Sequence, residues 1–209
     1  MNIHTTQVND NLIQSIASVS LSLFRKNFIG IFHGAISARV SKNRFIINKQ
    51  HAIFDNLSAD SMMMLYQKQD YRWNEASIHA PIHANIYQQF SEAKFIAYAM
   101  PPYLVSYTLK YDTLRPKDYF GYKFLAPSIE IFDPKDYESW SERADTDIPR
   151  YFKEHTHSFM LIRGYGVYVY ARDIYTLAKL IALIENSCKI LHYNADLGEV
   201  FESGAKYDV

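Results

Sequence analysis

The sequence predicts a layered α/β fold, and three observations predict it. Short runs of alternating or β-branched residues are joined by compact turns, at 33–48 and again at 158–170. Apolar stripes at helical spacing flank them near both ends of the chain. The length, 209 residues with 48% apolar content, suits a domain with a substantial core. Residues 1–209 are read as one domain with a polar, loop-rich region at about 111–157.

Each element has its own local reason. Asn11–Lys26 carries Leu12, Ile16, Val19, Leu23 and Phe24 at helix spacing, with Asp10 or Asn11 as its cap. His33–Val40 and Arg44–Asn48 read as strands, and Ser41, Lys42 and Asn43 suit the hairpin turn between them. Ser58–Gln69 reads as a short helix opened by Ser58 or Asp60, with Met62 to Leu65 as its apolar surface. Ile78–Phe90 reads as another helix. Pro81 fits its first turn, where the missing N–H costs little. His79 then stands at its start, with His83 and Tyr87 following on one face at four-residue steps.

Lys94–Ala99 and Tyr103–Thr108 are strand candidates, and Pro101–Pro102 either interrupts them or starts a helix. Tyr111–Tyr151 holds Pro116, Pro127, Pro134 and Pro149 and reads as irregular, with one strand at Ser128–Phe132. Ser158–Ile162 and Val167–Tyr170 read as strands around a tight Gly164–Tyr165–Gly166 turn. Asp173 can cap a last long helix whose buried face is Leu177, Leu180, Ile181, Ile184, Cys188 and Leu191. The tail from Asn194 is polar and is expected to fray or to be held by a neighbour.

Composition narrows the function. Lys+Arg and Asp+Glu both total 22, so binding to a nucleic-acid backbone through net charge is unsupported. Cys188 is the single cysteine and cannot form an internal disulfide; it reads as a small buried helix residue. The first ten residues lack the pattern of a signal peptide, and no apolar run reaches membrane-spanning length, so a cytoplasmic location is the default expectation. Seventeen tyrosines and thirteen phenylalanines are a heavy load, suited to subunit contacts or to extra ring surface inside the core.

Four blocks carry a family resemblance. They are GAISAR at 34–39, IINKQ at 46–50, SIHAPIHANIY at 77–87, and the pair AYAM at 97–100 with RGYG at 163–166. In order and spacing they resemble the class II aldolase/adducin family over most of 11–191. The resemblance implies a central, mainly antiparallel sheet flanked by helices and self-association, commonly as a homotetramer. In active relatives, two histidines one residue apart and a third before a glycine hold a divalent metal. A glutamate moves a proton beside that metal, and an asparagine, serines and a glycine turn bind phosphate.

This chain departs from that pattern at each functional place. Ala35 replaces the asparagine, although Gly34, Ser37 and Arg39 remain. His79 takes the glutamate position and is the candidate proton carrier. Tyr98, Met100 and Tyr165 stand where the imidazoles would be. A neutral phenol and a thioether do not readily replace imidazole around zinc. The candidate ligand-binding residues are therefore Gly34, Ser37, Lys49, Ser77, Tyr98, Met100 and Tyr165, for a small anionic or sugar-phosphate ligand.

The expectation is a protein without a metal cofactor that acts by self-association or small-ligand binding. Its alternative is a lyase or epimerase acting on a small sugar phosphate with one divalent metal such as zinc. An alternative metal set is His33, His79, His155 and His157, because His155 and His157 share a face in an extended segment.

Overall fold

The computed structural model describes residues 10–31 and 33–204. The expectations that fall on the first nine residues lie outside them. Eight strands form one sheet: β1 (Ala35–Ser41), β2 (Arg44–Asn48), β3 (Met62–Tyr66), β4 (Phe95–Ala99), β5 (Thr113–Leu114), β6 (Ile129–Phe132), β7 (Phe159–Ile162) and β8 (Gly166–Ala171). Their order is β3-β2-β1-β4-β8-β7-β6-β5. Neighbours run antiparallel except β6 and β7, which are parallel. The expected fold class, a mainly antiparallel sheet flanked by helices, is therefore correct.

Six helices cover the sheet: α1 (Asp10–Arg25), α2 (Ala80–Gln89), α3 (Pro102–Lys110), α4 (Tyr119–Phe124), α5 (Tyr137–Glu154) and α6 (Ile174–Gly204). Because side chains alternate along a strand, each face of the sheet buries its own core. One core packs Ile36, Ile46, Ala97, Leu161 and Val169 beneath α1 and α6. The other packs Phe45, Ile47, Ile96, Tyr98, Met160 and Tyr168 beneath α2 and α5.

Several capping contacts tie the helices down. Asp173 accepts from the Thr176 N–H at 2.8 Å, as its position before α6 predicts. Pro101–Pro102 begins a helix, so the strand reading of Tyr103–Thr108 is corrected. The open N–H groups at the start of α3 donate to Glu185 of α6, from Tyr103 at 3.0 Å and Leu104 at 2.8 Å. Arg39 closes the other end of α2, donating to the carbonyls of Tyr87, Phe90 and Ala93.

Three further expectations are corrected. The methionine run is a strand; only Ala59–Ser61 is helical, as a single 3₁₀ turn. Met63 and Leu65 register with Ile47 and Phe45 of β2, and the ladder outweighs the helix preference of methionine. The polar segment holds the 18-residue α5, with Pro149 inside it. The tail continues as helix to Gly204.

The contact that accommodates Pro149 is identifiable. A proline in a helix removes the N–H that would donate to the carbonyl four residues earlier. Here that is the Asp145 carbonyl, and it accepts instead from Asn85 Nδ2 of α2 at 2.9 Å. Asn85→Ala is expected to cost about 1–2 kcal/mol, the penalty of an orphaned carbonyl. In a Pro149→Ala background the restored N–H refills that carbonyl, so the same substitution costs markedly less. Urea melts of the four proteins in the cycle measure the coupling.

Candidate functional site

The candidate site lies on the α2/α5 side of the sheet, where β4, β8 and the start of α2 converge. Tyr98 and Tyr168 are cross-strand partners in β4 and β8, so their rings share a face, with centroids 5.1 Å apart. His79, the residue before α2, lays its ring against Tyr98 at 4.4 Å. Its Nδ1 is 2.5 Å from the Tyr168 hydroxyl. Tyr165, in the turn before β8, packs on Tyr98 at 4.9 Å and meets the edge of Trp140 from α5. The Tyr98 hydroxyl donates to the main-chain carbonyl of Tyr165 at 2.8 Å.

Gly166 fixes this geometry. Its φ is +130°, and a Cβ placed there would lie 2.2 Å from the Ala99 carbonyl oxygen and 3.2 Å from Met100 Cγ. Only glycine allows the β8 strand to start this close to the end of β4. This junction sets Tyr98 beside Tyr165 and brings Met100 up to the start of β8.

Behind them lies a second, fully buried group. Ser37 Oγ is 2.7 Å from His83 Nδ1 and 2.8 Å from the Tyr87 hydroxyl. His83 Nε2 is buried without a hydrogen-bond partner among the described residues. The serine thus links β1 to α2 and is fully buried. Asn48 does similar work: its Oδ1 accepts from the Ile36 N–H and its Nδ2 donates to the Lys49 carbonyl.

The other predicted residues divide between two cavities. His33, Gly34, Ser77 and His79 line one of about 500 Å³, whose rim carries Ile31 and Ile78, each more than 70% exposed. Lys49 lines a neighbouring cavity of about 590 Å³ beside Asp55, Asp60 and Glu75. Lys49 and His79 thus line different cavities.

Electrostatics keep the cluster neutral. Burial holds His79 down to about 4. His83 is pushed well below its ordinary value, first by burial and then by His79. Burial raises Tyr98, Tyr165 and Tyr168, so all three phenols stay protonated near neutral pH. A histidine with a depressed native pKa gives stability that is complete above its unfolded value of about 6.5 and is lost as pH falls toward 4. The unfolded chain takes up the proton and the native one does not. His79 alone is therefore expected to remove roughly 3 kcal/mol across that window, with His83 adding in the same direction. Thermal melts between pH 7 and 4 test this, and His79→Gln should flatten the slope.

A divalent cation does not fit the donors at the predicted cradle. Tyr98 is a protonated phenol already donating to a carbonyl, Tyr165 is another protonated phenol, and Met100 supplies a thioether. Of the alternative histidine set, His33 and His79 line one cavity. His155 stacks on Tyr151 at 3.8 Å with its Nε2 3.7 Å from Glu130, whereas His157 stacks on Phe159 at 5.2 Å. Among the described residues, no three His, Cys, Asp or Glu side chains are grouped to hold a metal.

Sequence reasoning missed Tyr168, the partner of His79. It sits within the alternation of β8, but its meeting with Tyr98 depends on cross-strand register, which no single segment displays.

The fold and this cluster define an aldolase-type α/β protein with an aromatic centre. The family described as Class II Aldolase and Adducin N-terminal domain matches residues 14–192, and the chain belongs to that family. Among solved structures, it resembles L-fuculose-1-phosphate aldolase from Thermus thermophilus, with a TM-score of 0.80 and 21% identity over 91% of this chain and 97% of that one. A sugar-phosphate aldolase from Thermotoga maritima gives 0.71 and 16% over 90% and 96%. YgbL from Escherichia coli gives 0.70 and 12% over 90% and 91%. At these identities the likeness shows a shared fold. No curated protein matches the chain.

Proposed function

We propose that this chain is a class II aldolase-fold protein that has lost metal-dependent aldolase activity and acts by binding a small ligand or further copies of itself. One observation carries the reading: the Tyr98 hydroxyl donates to the Tyr165 carbonyl at the place where a metal would need electron-pair donors. The aromatic stack fills that space with neutral groups held by hydrogen bonds and ring contacts.

A ligand has a natural place in the cavity of His33, Ser77 and His79, whose mixed polar wall and apolar rim suit a small polar or anionic molecule. Self-association is supported by Tyr119, Phe120, Tyr122 and Phe124, exposed by 53–72% around the short α4. Homotetramer formation and a cytoplasmic location belong to this proposal. So does a single domain over the chain, supported by two cores that share one sheet.

The second reading is a lyase or epimerase acting on a small sugar phosphate, with a divalent metal such as zinc. It is favoured by family membership and by the His79–Tyr168 pair, in which a neutral imidazole beside a phenol can accept a proton. The discriminating experiment is incubation of purified protein with L-fuculose 1-phosphate, with and without added zinc. The proposal expects no aldehyde release in either arm. Turnover that disappears in His79→Ala would overturn it in favour of the enzyme.

A further inference from the structure

On the opposite side of the sheet from His79, α3 and α6 form a groove of about 390 Å³. Tyr103, Tyr107 and Tyr111 recur at four-residue steps along α3 and its end, so they stand on one face of that helix. Tyr107 and Tyr111 present rings 4.5 Å apart and tilted by 33°. His192 of α6 lines the facing wall with its ring 5.4 Å from Tyr103, and at the groove's edge the Tyr193 hydroxyl lies 2.8 Å from that of Tyr103.

Two ammonium groups lie over these rings. Lys110 Nζ is 5.5 Å from the Tyr111 centroid, and Lys189 Nζ is 5.3 Å from Tyr103 and 5.6 Å from Tyr193. Neither lysine forms an ion pair with a described carboxylate. The acidic side chain nearest in the sequence to Lys189, Glu185, is buried and its oxygens accept from the N–H groups at the start of α3. The groove therefore combines aromatic faces with the charge of Lys110 on its wall, which no ion pair among the described residues takes up, while Lys189 stands at its edge over Tyr103 and is partly balanced by the charge of Glu185.

We propose that this groove is a binding site for a planar aromatic molecule carrying an anionic group. The ring would stack on the Tyr107/Tyr111 side, and its phosphate or carboxylate would be drawn to Lys110 and Lys189. Nothing in the site on the other face is required for it, so the inference stands apart from the proposed function.

The test uses 1-naphthyl phosphate, titrated into the full chain and read by its own fluorescence, with 1-naphthol and inorganic phosphate as separate arms. Saturable binding is expected, with each half-ligand weaker by about tenfold or more. Tyr111→Ala and Lys189→Ala, both at exposed positions, should each weaken it about fivefold to tenfold. Lys110→Ala provides a third variant, and unchanged circular dichroism verifies the fold of each. Non-saturable binding, equal affinity for 1-naphthol, or variants that bind like the parent would overturn the site.

Discussion

Gly166→Ala is expected to destabilise the fold by about 3–5 kcal/mol, lowering the melting temperature by roughly 10 °C. Two costs add. A residue with a side chain is forced to φ +130°, and its Cβ is placed 2.2 Å from the Ala99 carbonyl oxygen. The clashing atom is backbone in a central strand, so relief requires β4 and β8 to separate. These strands pair from Phe95 with Ala171 through Ala99 with Val167. The Tyr98–Tyr165 hydrogen bond spans the same junction, and near-ultraviolet circular dichroism should lose the tyrosine signal of this cluster. Gly164→Ala is a useful comparison: its φ of +64° lies in the left-handed region and its worst contact is the Tyr137 hydroxyl, the end of a movable side chain. It should cost less.

The second large effect comes from restoring imidazoles. The combined variant Tyr98→His, Met100→His and Tyr165→His is expected to gain zinc affinity by at least about a hundredfold over the parent, close to 2.8 kcal/mol. The parent offers protonated phenols and a thioether at these three places, which the strand ends and the Gly166 junction hold together. Changing side chains while keeping that backbone replaces poor donors with good ones. Competition against a chromophoric chelator measures the gain. No gain would mean that the three positions do not face a common centre.

Much of the fold was legible because its signals are local. The stripe from Leu12 to Leu23 and the one from Leu177 to Leu191 specify α1 and α6 through spacing alone. The β7–β8 hairpin announces itself through two glycines around Tyr165. What sequence reasoning misread was decided by distant partners. Met62–Tyr66 becomes a strand because β2 offers it a ladder. Residues 137–154 become a helix despite Pro149 because Asn85, sixty positions away from Asp145, supplies the missing donor. Trp140, Ala144, Ile148 and Phe152 did repeat at four-residue steps through that segment, a stripe masked by its prolines and acidic residues.

The candidate site divides the same way. The family resemblance pointed to Tyr98, Met100, Tyr165 and His79, and the fold places the rings of Tyr98, Tyr165 and His79 in contact, with Met100 at the same junction. The resemblance did not reveal that Ser37 is consumed by His83 and Tyr87, or that Lys49 belongs to a different cavity among carboxylates. Both outcomes depend on how β1, β2 and the loops after them pack, which lies beyond any one segment.

The most direct test is metal analysis of protein purified without chelators, joined to anomalous scattering at the zinc edge from its crystals. The account predicts less than stoichiometric metal and no anomalous peak enclosed by Tyr98, Met100 and Tyr165. One bound divalent ion per chain at that position, or an ion gripped by His33 and His79, would contradict it.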